Sequence, residues 1–268
     1  MLKQRVITAL WLAPLAIGGI FFLPYDYFAL FTAAIVMLGA WEWANLAGFK
    51  DQAARVGFSV LVGGCLYGLY TLPELGILSV GLAWWVLALV FVLSYPGMSK
   101  AWSSEWVRLV FGLFILIPCW KGLLLLKQQQ NSELVLLYIC LMVWGADVGA
   151  YFSGRKWGVS KLAPKVSPGK SWAGFWGGMV SALIIGLGVG LYVDMSPAQL
   201  AVLMLISSIT VAVSVLGDLT ESMFKRFRGI KDSSQLLPGH GGVLDRIDSL
   251  TAAVPVFALL LLVSGISF

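Results

Sequence analysis

The chain has 268 residues, of which 59% are hydrophobic and only 12% are charged, and its mean hydropathy is +0.89. Repeated apolar runs of about 20 residues, long enough to cross a bilayer, exclude a soluble domain and indicate an all-α protein that spans the membrane several times. The net charge of +5 comes from basic residues dispersed over short connections, without a nucleic-acid-binding motif, so nucleic acid is not an expected partner.

Hydropathy predicts nine membrane helices. The first apolar stretch follows Lys3 and Arg5 but is too long for a signal peptide, so we interpret it as an uncleaved helix. The predicted spans are 6–24, 27–48, 57–73, 76–96, 107–126, 134–154, 173–193, 198–224 and 247–267. We expect one polytopic domain, 1–268, with generic membrane helices in 1–133 and the two longest charged connections in 134–268. Its expected cytoplasmic loops are 155–171 and 225–246.

The distribution of Lys and Arg predicts the orientation of these helices. With the N-terminus inside, all 18 basic residues except Lys121 and Lys127 fall on the cytoplasmic side. Because positively charged connections are retained in the cytoplasm, we expect a cytoplasmic N-terminus and, after nine spans, a C-terminus outside. The expected location is a bacterial-type inner membrane, with the charged loops facing the cytoplasm.

Two acidic residues, Asp147 and Asp218, lie inside predicted spans at similar depth. Counting 1.5 Å per residue from the basic residues that follow them puts them about 12 Å and about 10 Å below the cytoplasmic face. An ionisable group at such depth usually faces a polar cavity. For Asp147, a carboxyl group hydrogen-bonded between helices is the alternative interpretation.

A third intramembrane acid, Glu42, stands between two tryptophans in the second predicted span. The same count, from Lys50, places it about 12 Å below the cytoplasmic face. No phosphate-binding pattern lies near it in sequence. The sequence leaves two roles open for Glu42: pairing with another helix, or lining the cavity.

Charged residues are concentrated in the window 217–249. If the preceding span continues as a helix, spacings of three, four and seven residues put part of this window on one helical face. The residues on that face are Asp218, Glu221, Ser222 and Lys225. Asp245 and Asp248, three apart, share a face at the start of the last span. Since carboxylates suit a hard divalent cation and Lys and Arg suit phosphate oxygens, the window predicts a site for a metal-bound polyphosphate. A solvated charged loop is the alternative.

The same window resembles the signature of the phosphatidate cytidylyltransferases, also called CDP-diacylglycerol synthases. The match runs from Ser222 to Asp248 through the segments SMFKR, KD and LPGHGGVLDRID, without a departure over these 27 residues. A second element, residues 167–171 (SPGKS), resembles a shorter motif of the same family. It has Ser171 where threonine is usual and Ala173 where an acidic or amide residue is usual. With both elements counted, the resemblance covers the last half of the chain, from about residue 144 onward.

The resemblance implies a membrane enzyme of phospholipid biosynthesis that joins CTP to phosphatidate with Mg²⁺, giving CDP-diacylglycerol and pyrophosphate. We therefore expect residues 134–268 to form the catalytic half, with the active site facing the cytoplasm. A second cation and a homodimer are left open, and the expected partners are CTP, phosphatidate and membrane lipid. The expected metal ligands are Asp218 and Asp245, with Asp248, Asp147 and Glu221 nearby. The expected catalytic residues are Asp218, Asp245, Lys225, Arg226, Lys231 and His240. The expected phosphate-binding residues are Lys170, Ser167, Ser171, Ser222, Gly241, Gly242 and Arg246.

Two other functions use similar residues. An ion-coupled membrane transporter also has intramembrane acids, but usually near the midplane of a repeated architecture with interrupted helices. Here the acids gather toward one face, beside a basic glycine-rich loop. A phosphotransferase acting on CDP-alcohols would need the pattern DG-x2-AR…G-x3-D-x3-D, which the sequence lacks. The transporter is retained as the alternative.

Overall fold

The computed structural model describes residues 2–268, without the side chains of residues 2–7 and 9. Within this part of the chain, the protein is an all-α membrane protein of nine helices with one small β-hairpin. The helices are α1 (Leu2–Phe22), α2 (Tyr25–Ala47), α3 (Gln52–Leu69), α4 (Glu74–Ser94), α5 (Glu105–Lys127), α6 (Ser132–Trp157), α7 (Trp172–Tyr192), α8 (Pro197–Arg228) and α9 (Leu244–Ser264). The strands are β1 (Lys161–Ala163) and β2 (Ser167–Ser171). The side chains of Lys3 and Arg5, which contribute to the predicted orientation, lie outside the described residues.

Seven of the described helices, α2 and α4 to α9, are long and apolar enough to cross a membrane. Among the residues whose side chains are described, the apolar part of α1 is Leu10–Phe22. Helix α3 carries the polar residues Gln52 and Arg55 in its first turn. The prediction of nine helices is confirmed for residues 2–268. Seven of them have the composition and length of membrane spans.

The connections between helices gather at two ends of the bundle. At one end, which we call the loop end, lie the connections 48–51, 95–104, 158–171 and 229–243. Contacts distant in sequence join them: Asn45 Nδ2 donates to the carbonyl oxygen of Ser233 at 2.9 Å, and Arg228 Nε donates to that of Asn45 at 3.3 Å. The end of α2 and the segment after α8 therefore lie side by side.

At the opposite end, a buried ammonium group fastens the connection between α3 and α4. Lys121 Nζ, on α5, donates to the carbonyl oxygens of Tyr70 and Leu72 at 3.1 and 2.9 Å. It also pairs with Glu74 at 3.1 Å. The alternation of connections between the two ends means that successive helices run in opposite directions.

The longest helix, α8, has clear start and stop signals. Ser196 Oγ accepts from the Gln199 amide, the Gln199 side chain accepts in return from the Ser196 N–H, and Pro197 follows at the first helical position. The helix ends at Gly229, whose φ of 68° is the left-handed conformation that glycine adopts without a Cβ penalty. At 32 residues it is about 48 Å long against a hydrocarbon core of about 30 Å, so it extends beyond the membrane thickness.

The segment between α6 and α7 is rich in glycine and proline, a composition that disfavours helix. In the structure α6 ends at Trp157, and the segment forms the hairpin β1–β2, with Lys161 opposite Ser171 and Ala163 opposite Ser167. This hairpin is absent from the predicted architecture, because its strands are short and lack alternating hydrophobicity. It carries Lys170 to the side of α8.

Buried aromatic rings set α2 and α5 against α8 beneath the loop end. The rings of Trp43 and Phe224 meet edge to face at 5.1 Å, and Trp102 meets the same phenylalanine at 5.1 Å. Trp43 Nε1 donates to the carbonyl oxygen of Arg108 at 2.7 Å. Since each edge-to-face pair adds about 0.5–1.5 kcal/mol to ordinary burial, these rings hold α2 rigidly beside α8.

Candidate active site

A cavity of about 400 Å³ lies between α6, α7, α8 and the hairpin. Its polar lining includes Asp147 and Arg155 from α6, Lys170 from β2 and Asp218 from α8. Most of the other lining residues are apolar or glycine, such as Val215 on α8 and Gly178 on α7. Charged groups from three separate elements therefore converge on one mostly apolar cavity.

The ion pair between Lys170 and Asp218 bridges the hairpin and α8. Lys170 Nζ lies 2.6 Å from Asp218 Oδ2, and Ser222 Oγ donates to Asp218 Oδ1 at 3.1 Å. Asp147 interacts electrostatically with Lys170, Asp218 and Arg246. Because Lys170 and Asp218 remain 23% and 30% exposed, the pair is only partly desolvated and an incoming anion can compete for the ammonium group.

A second charged cluster is buried between α8 and α9. Lys225 Nζ lies 2.7 Å from Asp245 Oδ1 and 3.3 Å from Glu221 Oε1. The second contact is short enough for an ion pair, but neither oxygen of Glu221 has a partner in hydrogen-bond geometry. Asp248 interacts electrostatically with Lys225 and also with Asp218, so it links this cluster to the cavity.

Asp245 organises the loop between α8 and α9. Its Oδ2 accepts hydrogen bonds from the Ser233 amide at 2.9 Å, the Ser233 hydroxyl at 2.9 Å and the Gly242 amide at 2.7 Å. Its Oδ1 is paired with Lys225. Three donors surround Oδ2, so in this structure Asp245 holds the loop. Its role as a metal ligand stays a prediction.

The fit of these residues to a divalent cation follows from their charge. Within residues 2–268, no three His, Cys, Asp or Glu side chains form a group that could hold a metal ion. Mg²⁺, however, is usually bound by one or two carboxylates together with substrate phosphates and water. Among the described residues, two lysines form ion pairs with Asp218, Glu221 and Asp245, and Asp248 adds a fourth acid without an ion pair of its own. Both Glu221 oxygens are buried without a hydrogen-bond partner. The site is thus short of positive charge beside Asp218 and Asp248.

Three other predicted residues make contacts that hold local structure. Ser171 Oγ accepts from the Gly174 amide at 3.1 Å and caps α7. Arg226 Nε donates to the carbonyl oxygen of Val166 at 3.2 Å, which ties the hairpin to α8. Ser167 pairs with Ala163 across the hairpin. These three residues thus stabilise the hairpin and the start of α7, the structure that holds Lys170.

The remaining predicted residues lie on or beside the loop 229–243. Lys231 and Arg246 are exposed on either side of the glycine-rich turn. The His240 amide donates to the Leu237 carbonyl at 2.9 Å, and Nδ1 of its ring is buried without a hydrogen-bond partner. Gly241, with a φ of 84°, accepts from the Leu237 amide at 2.8 Å and closes the turn.

Glu42 is the residue whose role sequence reasoning left open. It does not line the cavity; its carboxylate contacts the segment 233–244 instead. The partner hydroxyls, those of Ser233 and Ser234, were absent from the predicted site. The signal available in the sequence was the presence of a carboxylate within an otherwise apolar helix, which does not reveal its partner.

An open depression of about 1030 Å³ lies between α6 and α7. Its lining is mostly apolar and includes Phe152, Trp176 and Val180, together with the basic residues Arg155 and Lys156. Arg155 also lines the cavity that contains Asp218. The two spaces therefore share a cationic side chain.

The chain matches the model of the cytidylyltransferase family over residues 3–264. It is 55% identical over 267 residues to a phosphatidate cytidylyltransferase of Pseudomonas aeruginosa, covering 99% of this chain and 98% of that protein. It is 43% identical to the enzyme of the same name in Haemophilus influenzae, covering 96% and 98%, and 34% identical to that in Brucella suis, covering 96% and 92%. The similarity seen in the motifs of the last half extends over nearly the whole chain, so this protein belongs to the cytidylyltransferase family.

Proposed function

We propose that this protein catalyses the reaction named in its relatives, transfer of a cytidylyl group from CTP to phosphatidate, with CDP-diacylglycerol and pyrophosphate as products. The observation that carries the proposal is the charged cavity, where Lys170 pairs with Asp218 beside the buried Lys225 cluster. Both substrates are anions with phosphate groups. A cavity that offers the partly exposed ammonium group of Lys170 next to acids that outnumber their paired lysines suits such ligands.

Lys170 would bind a phosphate oxygen when its pair with Asp218 opens. The second lysine of the site, the buried Lys225, would keep Asp245 in place and leave the loop 229–243 closed over the nucleotide. Reaction would place a phosphatidate oxygen in line with the α-phosphorus of CTP, with pyrophosphate leaving on the far side. Such transfer depends mainly on positioning and charge neutralisation, which is what this constellation can supply.

We further propose that Asp218 and Asp245 hold Mg²⁺, with Asp248, Asp147 and Glu221 nearby. When bound, the cation would neutralise charge on the phosphates and orient them. Asp218 would exchange Lys170 for the cation, and Lys170 would then be free to bind phosphate. These five acids leave room for a second cation in the proposal.

The orientation and the lipid route also belong to this proposal. We place the loop end in the cytoplasm, where CTP is dissolved, and the C-terminus outside. Phosphatidate would approach from the inner leaflet along the depression between α6 and α7, with its phosphate on Arg155 and Lys156 and its acyl chains against Phe152 and Trp176. Residues 1–268 would act as one polytopic unit, with the catalytic half 134–268 supported by the first five helices.

The experiment that tests the function is direct. The purified protein is incubated with phosphatidate, CTP and Mg²⁺, and the lipids are analysed by mass spectrometry with an Asp218→Asn variant alongside. We expect CDP-diacylglycerol and an equal amount of pyrophosphate from the native protein, and a loss of at least about 100-fold in rate in the variant. Absence of the product with both substrates present would refute the proposal.

A further inference from the structure

Glu42 is fully buried in α2, yet all its hydrogen bonds go to a segment 191 to 202 positions later in the chain. Its Oε1 accepts from Ser234 Oγ at 2.6 Å and from the Val243 amide at 2.9 Å. Its Oε2 accepts from the Leu244 amide at 2.6 Å and from Ser233 Oγ at 3.2 Å. Four donors thus surround one carboxylate.

The negative charge of Glu42 is balanced without an ion pair. No described Lys or Arg side chain lies within salt-bridge distance of it. Two of its donors are backbone N–H groups at the start of α9, where amides lack partners within the helix and the helix dipole favours negative charge. Val243 provides no side-chain cap for α9. Glu42 supplies that cap from a different helix.

A chain of contacts connects Glu42 with the buried lysine of the active site. Ser233 Oγ lies within hydrogen-bond distance of both Glu42 Oε2, at 3.2 Å, and Asp245 Oδ2, at 2.9 Å. Its single proton can be donated to one carboxylate at a time. Asp245 in turn pairs with Lys225 at 2.7 Å. The two carboxylates therefore hold the loop from opposite sides.

The backbone is built for this close approach. A Cβ atom placed on Gly242 would lie 2.5 Å from Glu42 Oε1, closer than real Cβ contacts allow. Gly242 also donates its amide proton to Asp245. Glycine at this position lets the loop pass between the carboxylates of Glu42 and Asp245, each of which accepts hydrogen bonds from the loop.

We propose that Glu42 is a positioning residue for catalysis, which acts through Ser233 and Asp245 to fix the loop 229–243 and the Lys225 ammonium group. The effect on turnover rests on the proposed function. The effect on the loop does not, because it follows from the contacts of Glu42 alone. Residues that orient the ligands of a site typically contribute 10- to 100-fold to activity.

The first measurement is turnover of the full-length protein, normalised to folded protein, in Glu42→Gln and Glu42→Asp. Glutamine has one acceptor oxygen and places an NH₂ group against N–H donors, so we expect kcat to fall by about 10- to 100-fold. Aspartate keeps the charge but is one methylene shorter, and we expect it to recover part of the rate. Glu105→Gln, the same change at an exposed position of the loop end, is the matched control and should leave kcat unchanged.

The second measurement follows the loop itself, with a spin label on a cysteine at the exposed position Gln235. We expect greater label mobility in Glu42→Gln than in the reference protein or in Glu105→Gln. Turnover equal to the reference would overturn the positioning role, and so would a slower enzyme whose label mobility is unchanged. If the reference protein makes no CDP-diacylglycerol, the proposed function fails, whereas the label still reports whether Glu42 holds the loop.

A milder variant covers the case in which Glu42→Gln does not fold. Ser234→Ala removes one hydroxyl donor to Glu42 Oε1, together with the acceptor of the Leu236 amide, and leaves the contacts of Asp245 in place. We expect it to raise label mobility and lower kcat. In a folded double variant with Glu42→Gln, it should add little to the single loss, because both changes act on the same contact. Full additivity, or an immobile label in Ser234→Ala, would contradict the proposal.

Discussion

Replacing Lys225 by methionine should destabilise the protein strongly, because the change removes the ammonium group from a cluster of acids. Lys225 is only 12% exposed, and its partners Glu221 and Asp245 are 4% and 5% exposed. Removing one partner of a buried ion pair typically costs about 3–5 kcal/mol, because the other charge stays buried without compensation. With about 2–4 °C per kcal/mol for a chain of this size, the melting temperature should fall by roughly 6–20 °C.

The assay is thermal unfolding of the purified protein in detergent, with Lys100→Met, at an exposed position of the loop end, as the control. The added change Glu221→Gln should recover part of the loss in Lys225→Met, since it removes one uncompensated charge whose oxygens have no hydrogen-bond partner. A fall of less than about 2 °C in Lys225→Met, on a scale of 2–4 °C per kcal/mol, would refute the buried-cluster reasoning. So would a double variant no more stable than Lys225→Met.

Three further predictions concern the acids, the topology and the chemistry. Asp218→Asn and Asp245→Asn should both abolish turnover, but only Asp245→Asn should also lower the melting temperature, because Asp245 holds the loop. Equal melting temperatures in the two variants would contradict this structural role of Asp245. Cysteines at the exposed positions Ser160 and Gln235 should react with an impermeant maleimide from the cytoplasmic side, and a cysteine at Ser196 should react from the other side. Labelling of all three from one side would rule out the alternating direction of successive helices. Transfer should occur in one step, so CTP with a chiral α-thiophosphate should give inverted product, whereas retention would indicate a nucleotidylated enzyme.

The charged half of the site could be predicted because its residues lie close together in sequence. Helical spacing places Asp218 and Lys225 on one face of α8, and in the structure each forms an ion pair, Asp218 with Lys170 and Lys225 with Asp245. The family signature extended the predicted site to the loop 229–243. The pairing of Lys170 with Asp218 could not be read from spacing, because it depends on a hairpin whose strands carry no hydrophobic alternation.

The partner of Glu42 could not be predicted for a different reason. Hydropathy gives the depth of a residue in the membrane but not the direction in which its helix is rotated. That rotation is fixed by tertiary packing, such as the edge-to-face contact of the neighbouring Trp43 with Phe224 on α8. The carboxylate of Glu42 therefore meets a loop that only the folded arrangement of α2, α8 and α9 brings near it.

The capping of α9 by α2 has a consequence for the synthesis of the protein in the cell. Glu42 leaves the ribosome 191 residues before Ser233 and 202 residues before Leu244. At about 5–20 residues per second, α2 waits roughly 10–40 s before its partners are made. Through that interval the carboxylate must be accommodated by water, lipid headgroups or the insertion machinery. Capping of α9 is consequently a late event, completed only when the last helix enters the membrane and meets one of the first.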